Sequence, residues 1–416
     1  MNMKICDKWP VWGCLAIVAI VAAGCGKTEP PRFYANELQM KLKDVQPFQQ
    51  QEIALALAAM YGTPDEPFVL PETGLDLVKI QLAAGPVYGD QQGSQRGLYR
   101  RHCVHCHGTT GDGMGPTAAV LNPYPRDYRP GIFKYKSTER PAKPTHADLV
   151  RILREGIMGT AMPSFDLLQD DEISALVEYV KYLTMRGETE KSLIQYVGDE
   201  LSDQDHLPMT REILVETVLP PIIKGWDDAK TLVVAPPAHP EGELAQSVKI
   251  GQELFYGAKA NCIKCHGNSS LGDGQTTDFD DWNKPVAEAK KAVLKERADI
   301  AADKEMTAQD RRTKLAKLAD MSAVLEYDVL PPRTITPRNL RQGYYRFGRR
   351  PLDLFRRVHA GINGAPMPGV GPASPGATGT LSPEDIWHLV DYVQSLPYEP
   401  ISQPFKHSSA PPREQL

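Results

Sequence analysis

The sequence predicts an all-α protein made of two similar helical domains in tandem, the second carrying a long charged helical insertion. Three observations predict it. The pentapeptide Cys-x-x-Cys-His occurs twice, at 103–107 and 262–266. Downstream of each lies Gly-Ile-x-Gly-x-x-Met-Pro, at 156–163 and 361–368, preceded in both cases by Asp-Leu-x-Arg. Each methionine segment is then followed by an amphipathic stretch, in which Ile173, Leu176, Val177 and Val180 have counterparts Ile386, Leu389, Val390 and Val393 at helical spacing.

Taken in order, the chain opens on Lys4 and Lys8, an apolar run over 11–24, and Cys25. That is the pattern of a secretory signal peptide over 1–24, too short for a bilayer span of about 20 residues. The small residues Ala22, Ala23 and Gly24 before Cys25 resemble a bacterial lipoprotein cleavage box, with Ala22 where a branched aliphatic is usual. Cys25 is therefore expected to become a lipidated first residue that anchors an exported protein to a membrane. Cys6 and Cys14 leave with the signal, and the four motif cysteines account for the rest of the seven, so no structural disulfide is expected.

Residues 25–94 read as a tether and N-terminal extension: 26–48 are polar and Pro-punctuated, and Glu52 to Tyr61, stopped at Gly62, reads as a helix. The first domain spans 95–186. A connector over 187–247, with Ile213, Leu214, Val215 and Trp226, is too apolar for a free linker and should pack across both domains. The second domain spans 248–400 and is followed by a tail over 401–416. Within it, 284–326 is rich in Ala, Lys, Glu, Asp and Arg, with Val286, Val293, Ile300, Leu315 and Leu318 at helical intervals. One long helix or a helical hairpin is predicted, with Thr307 an N-cap, forming a solvated cover.

The cysteine spacing suits a specific chemistry. Two thiols three residues apart can each add to one vinyl group of a haem, and the histidine that follows can bind the iron. A zinc site or a redox dithiol is the alternative use of such cysteines. A thioether on a Pro-stiffened loop suits the sixth iron position, because sulfur stabilises ferrous iron. Aligned, Met162 falls on Met367 and Met158 on Asn363, which makes Met162 and Met367 the ligands and Met158 a packing residue. Met162 follows Cys103 by 59 residues and Met367 follows Cys262 by 105, a difference the insertion largely explains.

On these motifs both halves resemble class I cytochrome c domains, over about 95–185 and 248–397, and the whole resembles a tandem dihaem cytochrome c. The resemblance implies two covalently bound haems c, with Cys103, Cys106, Cys262 and Cys265 as thioether anchors. It makes His107 and His266 the proximal ligands, Met162 and Met367 the distal ones, and electron transfer the activity. The run Gly111 to Pro116 resembles the loop in which a proline carbonyl orients the imidazole; the second copy, Gly272 to Thr277, lacks that proline, so the hydrogen bond to His266 is expected to be compromised. Pro125-Arg126-Asp127-Tyr128-Arg129 is echoed by Pro337-Arg338-Asn339-Leu340-Arg341, followed by Lys134 and Arg346. Guanidinium forks match carboxylates, so Arg126, Arg129, Arg338 and Arg341 are expected to include haem-propionate partners. Arg349, Arg350, Arg356 and Arg357 should make a basic surface that steers an acidic partner.

The functional expectation is an electron carrier, not an enzyme. It would pass single electrons between redox partner proteins (an oxidase, a dehydrogenase or another cytochrome) on the outer side of a membrane. The alternative is a dihaem peroxidase or the cytochrome subunit of a small-molecule dehydrogenase. A haem that is itself the catalyst, as in a peroxidase, needs an open or weakly held iron position, which a methionine in both loops opposes. His359 could replace Met367 but aligns with Arg154. A net charge of −5 disfavours nucleic-acid binding.

Overall fold

The computed structural model describes residues 30–89, 95–275, 277–372 and 381–402. The signal segment, Cys25 and the tail beyond 402 lie outside the described residues. The described chain is mostly helical, with a single two-stranded hairpin, β1 (Tyr88–Gly89) and β2 (Gln95–Arg96). Among the described residues no helix is long and apolar enough to cross a membrane.

In the first unit, α1 (Glu37–Leu42), α2 (Pro47–Tyr61) and α3 (Leu77–Ala83) precede the hairpin. Next, α4 (Leu98–His102) and α5 (Val104–His107) carry the first cysteine motif. Helix α6 (His146–Glu155) leads into the methionine loop, and α7 (Asp170–Glu200) closes the unit. Asp170, Asp171 and Glu172 favour the N-terminal end of the α7 dipole, and Gln169 and Glu172 form its capping box. The periodic residues Ile173, Leu176, Val177 and Val180 are buried as predicted.

Two expectations about this unit are corrected. The closing helix does not stop near 186 but runs to Glu200, because Leu193, Ile194 and Val197 join the core that holds Ile53, Ala56 and Leu57 of α2. Tyr61 of α2 shares a hydroxyl hydrogen bond with Thr189 at 2.7 Å, and the Tyr182 hydroxyl donates to the Tyr61 carbonyl at 2.5 Å. Nor are residues 33–48 a tether. The Phe33 ring lies 6.2 Å from Tyr182, the Tyr34 amide donates to the Thr110 hydroxyl at 2.8 Å, and Met40 and Val45 are core residues. These apolar side chains are isolated among polar ones, so no periodic run advertised them.

The connector contains α8 (Leu219–Asp228), whose Leu219, Ile222 and Trp226 are buried in the first core. Past it, Val234 enters the second core and the Pro237 carbonyl accepts from the Trp387 indole at 3.1 Å. The second unit then comprises α9 (Leu244–Tyr256), α10 (Ile263–His266), α11 (Lys284–Ala302), α12 (Ala308–Tyr327), α13 (Pro351–Ala360) and α14 (Pro383–Ser395). Helices α9 and α14 cross at Gly251, where any Cβ would strike the His388 carbonyl. Around that crossing Phe255, Leu389, Val390 and Tyr392 are buried. The Thr307 hydroxyl accepts from the Asp310 amide at 3.1 Å and starts α12. The α11–α12 pair covers α1, with Leu38 buried among Val286, Ala289, Val324 and Leu325.

The two units are clamped together. Arg151 on α6 donates twice to Asp353 on α13, at 2.7 and 2.9 Å, and Asp353 is almost fully buried. Burial alone would raise the Asp353 pKa, but hydrogen bonds from Arg151 and Arg350 outweigh it and hold the carboxyl below its usual range. Stripping one partner from such a buried pair costs about 3–5 kcal/mol. Arg140 of the first unit donates to the carbonyls of Met367 and Ala365, at 2.6 and 2.9 Å, so it braces the second methionine loop.

Candidate functional site

Both cysteine motifs form the same single turn. The Cys103 carbonyl accepts from the Cys106 and His107 amides at 3.1 and 2.9 Å; the Cys262 carbonyl accepts from Cys265 and His266 at 3.2 and 2.9 Å. All four cysteines are free, and burial pushes the Cys103 and Cys262 thiols up, to about 12 and about 11. Cys103 and Cys262 are therefore neutral thiols at pH 7.

The two histidines are held alike. His107 Nδ1 lies 3.1 Å from the Arg126 carbonyl, and His266 Nδ1 lies 3.3 Å from the Arg338 carbonyl. A carbonyl can only accept, so Nδ1 carries the proton and Nε2 is left with a lone pair for a metal. Burial pushes the His107 imidazole down to about 4 and lowers that of His266, so both stay neutral, as a ligand must. Tyr128 stacks on the His107 ring at 4.9 Å and fixes its plane; the matching residue in the second unit is Leu340.

This geometry corrects the expectation that Pro116 orients His107 and that His266 lacks an equivalent bond. The acceptors are the residues that follow Pro125 and Pro337, and both copies have them. The glycine loops also align two residues away from the sequence pairing. Gly113, at φ 75°, and Gly272, at φ 85°, are the matched positions, each so close to its Pro-Arg backbone that a Cβ would clash with the proline carbonyl. Their amides donate to the carbonyls of His107 and His266 at 3.0 and 2.9 Å. The Pro-Arg echo was visible in the sequence and was the signal that could have found the acceptor.

Across the first unit, a cavity is lined by Cys103, Cys106, His107 and Met162, with Leu149, Leu153, Phe165, Leu176, Val177 and Val180 as apolar walls. Met158 is outside that lining and 62% exposed, so it is neither a ligand nor the packing residue expected. The two methionine loops share a fold: the amides of Ile157 and Ile362 donate to the carbonyls of Met162 and Met367, each at 3.1 Å.

The arginines divide. Arg126 lines the cavity together with Lys134 and Arg346. Arg129 is spent on Asp127, and Arg341 on the Ser269 carbonyl, Glu399 and Ser402, so neither is a propionate partner. The expected basic surface is reduced by half: Arg349 and Arg350 remain exposed, whereas Arg356 and Arg357 turn inward. Arg357 donates to the Asp353 carbonyl at 3.0 Å and also to the carbonyls of Arg346 and Gly348, Arg356 donates to the Val234 carbonyl at 3.1 Å, and Arg350 pairs with Asp353. His359 is committed to Glu139 across the units at 3.2 Å.

These residues fit a haem. The cavity offers two thiols, a neutral imidazole, a thioether, apolar walls and a cationic rim, with no carboxylate among the described residues that line it.

Residues 91–180 match the family model described as cytochrome C oxidase, cbb3-type, subunit III. Among solved structures, the Kuenenia stuttgartiensis reducing HAO-like protein complex Kustc0457/Kustc0458 is similar over 72% of this chain and 94% of that one, at 20% identity and a TM-score of 0.43. No curated protein matches the chain.

Proposed function

From the cytochrome c domain at residues 91–180, which implies covalently bound haem c, we propose that the whole chain is a dihaem electron carrier. It passes single electrons between redox partner proteins and is not itself an enzyme. The observation that carries this is the repetition of site geometry: the turn at Cys262 and the Arg338 carbonyl bond to His266 reproduce those at Cys103 and His107.

A bound haem supplies the one-electron ferric–ferrous chemistry. The chain's own residues do the rest. Arg126 and Arg338 fix the imidazole tautomers, and Tyr128 holds the plane of His107. Met162 and Met367 would take the sixth positions and favour the reduced state. A histidine and a methionine offered to each iron would leave no open position for peroxide or a substrate, which favours transfer over turnover.

The test uses the reduced full-length holoprotein. It should hand electrons rapidly to an oxidised soluble c-type cytochrome, and its visible spectrum should be unchanged by carbon monoxide. Rapid carbon monoxide binding with peroxide turnover would instead assign it as a peroxidase.

The carrier is further proposed to be exported and anchored by lipid on Cys25, a reading supported by the positive start, the short apolar run and the small residues before that cysteine. In a bacterial host the mature chain should begin at an acylated Cys25 and sediment with membranes, while Cys25→Ser should be released unacylated. An unmodified N-terminus elsewhere would count against the anchor.

A further inference from the structure

The first unit does not close its own cavity. Trp282 and Arg346, both from the second unit, line it beside Arg126 and Lys134. The Trp282 ring stacks with the Arg126 guanidinium at 4.1 Å and faces the Lys134 ammonium at 4.7 Å. Lys134 is paired with the buried Asp280 at 2.5 Å. The rim thus has three cations, of which Lys134 alone forms an ion pair with a carboxylate among the described residues. A haem brings two carboxylates.

Arg346 is the most constrained of these. Its Nε is buried and has no hydrogen-bond partner, and its charge acts unfavourably on both Lys134 and Arg338. The backbone nevertheless holds it in place. The Arg346 carbonyl accepts from Arg357, and the adjacent Phe347 stacks on Tyr135 of the first unit at 5.8 Å. A buried guanidinium donor with no acceptor is costly, and crowding by like charges adds to that cost. An anion at this point would remove both penalties.

We propose that Arg346 is a positioning residue for the haem held by Cys103 and Cys106: its guanidinium meets a propionate of that haem, so that the second unit sets the potential of the first. The inference rests on the reading of Cys103 to His107 as a haem site. The electrostatic consequence has a definite sign. Reduction lowers the charge of the haem by one, so a nearby fixed cation favours the ferrous state, and its removal favours the ferric one. Arg338 adds to the arrangement from the same side, since a side chain at Gly159, in the first methionine loop, would strike its guanidinium.

The test is a spectroelectrochemical titration of full-length holoprotein in a Met367→His background, where loss of the thioether moves the second haem to lower potential and separates the two waves. Arg346→Gln should move the high-potential wave downward. Arg346→Lys, which keeps the charge, should restore most of that shift. Arg349→Gln removes the same charge from an exposed side chain that bonds Tyr398 outside the cavity, and should leave the wave in place. If the glutamine variant does not accumulate, Arg346→Met keeps the apolar stem and gives the same reading. An unmoved high-potential wave, or an equal shift from Arg349→Gln, overturns the proposal. Haem content by denaturing mass spectrometry is scored separately: a chain without haem at Cys103 and Cys106 refutes the underlying site, whereas a haem that is present but insensitive to Arg346 refutes only this inference.

Discussion

Cys103→Ala combined with Cys106→Ala should remove one of two haems and leave the other attached at Cys262 and Cys265, as read by mass under denaturing conditions. The loss should be all-or-none, because the thioether bonds are the covalent attachment and neither unit shares its cysteines with the other. It should also be felt in the fold. Cys103 belongs to the first core, and the walls of its cavity include Leu149, Leu153, Leu176 and Val177. Without a haem those walls face an apolar void, and each Leu-sized void in a core costs about 3–5 kcal/mol. The first unit should therefore unfold at lower temperature than the second in the variant. Retention of both haems would show that these cysteines are not the anchors.

Met162→Ala should lower the potential of the first haem and open its iron to carbon monoxide. The preference for the ferrous state should fall by more than tenfold, a drop above about 59 mV for a one-electron couple. Met158→Ala should leave potential and spectrum unchanged, because Met158 is 62% exposed and lies outside the cavity lining. Loss of the sulfur-to-iron band in the Met158 variant, with Met162→Ala intact, would reverse the assignment.

What was legible in the sequence was local. The cysteine turns depend on a five-residue spacing, the closing helices on a 3.6-residue period, and the start of α12 on a threonine three residues before an aspartate. Aligning the methionine loops separated Met162 from Met158 because the loops have equal length. Most of what the sequence left hidden concerns residues whose role depends on distant partners. Phe33, Met40 and Val45 look like spacers in a polar segment until α7 runs on to Glu200 and gives them a surface. Arg341, Arg356 and Arg357 have the composition of a propionate cradle or a basic patch, yet each is consumed by a carbonyl or carboxylate that only the fold brings near, whereas Arg129 is taken by its sequence neighbour Asp127. The acceptor for His107 lies 19 residues away at Arg126, beyond the reach of motif spacing. Arg346 gains its place at the first cavity only when the two units meet, which no pattern within either copy encodes.

As proposed, the chain carries two haems, one on each cysteine motif. The most direct measurement is the denatured mass of the wild-type protein expressed with a haem-attachment system, followed by peptide mapping. Two haem additions are expected, one on the peptide of Cys103 and Cys106 and one on that of Cys262 and Cys265. A single addition confined to the first motif would contradict the proposal.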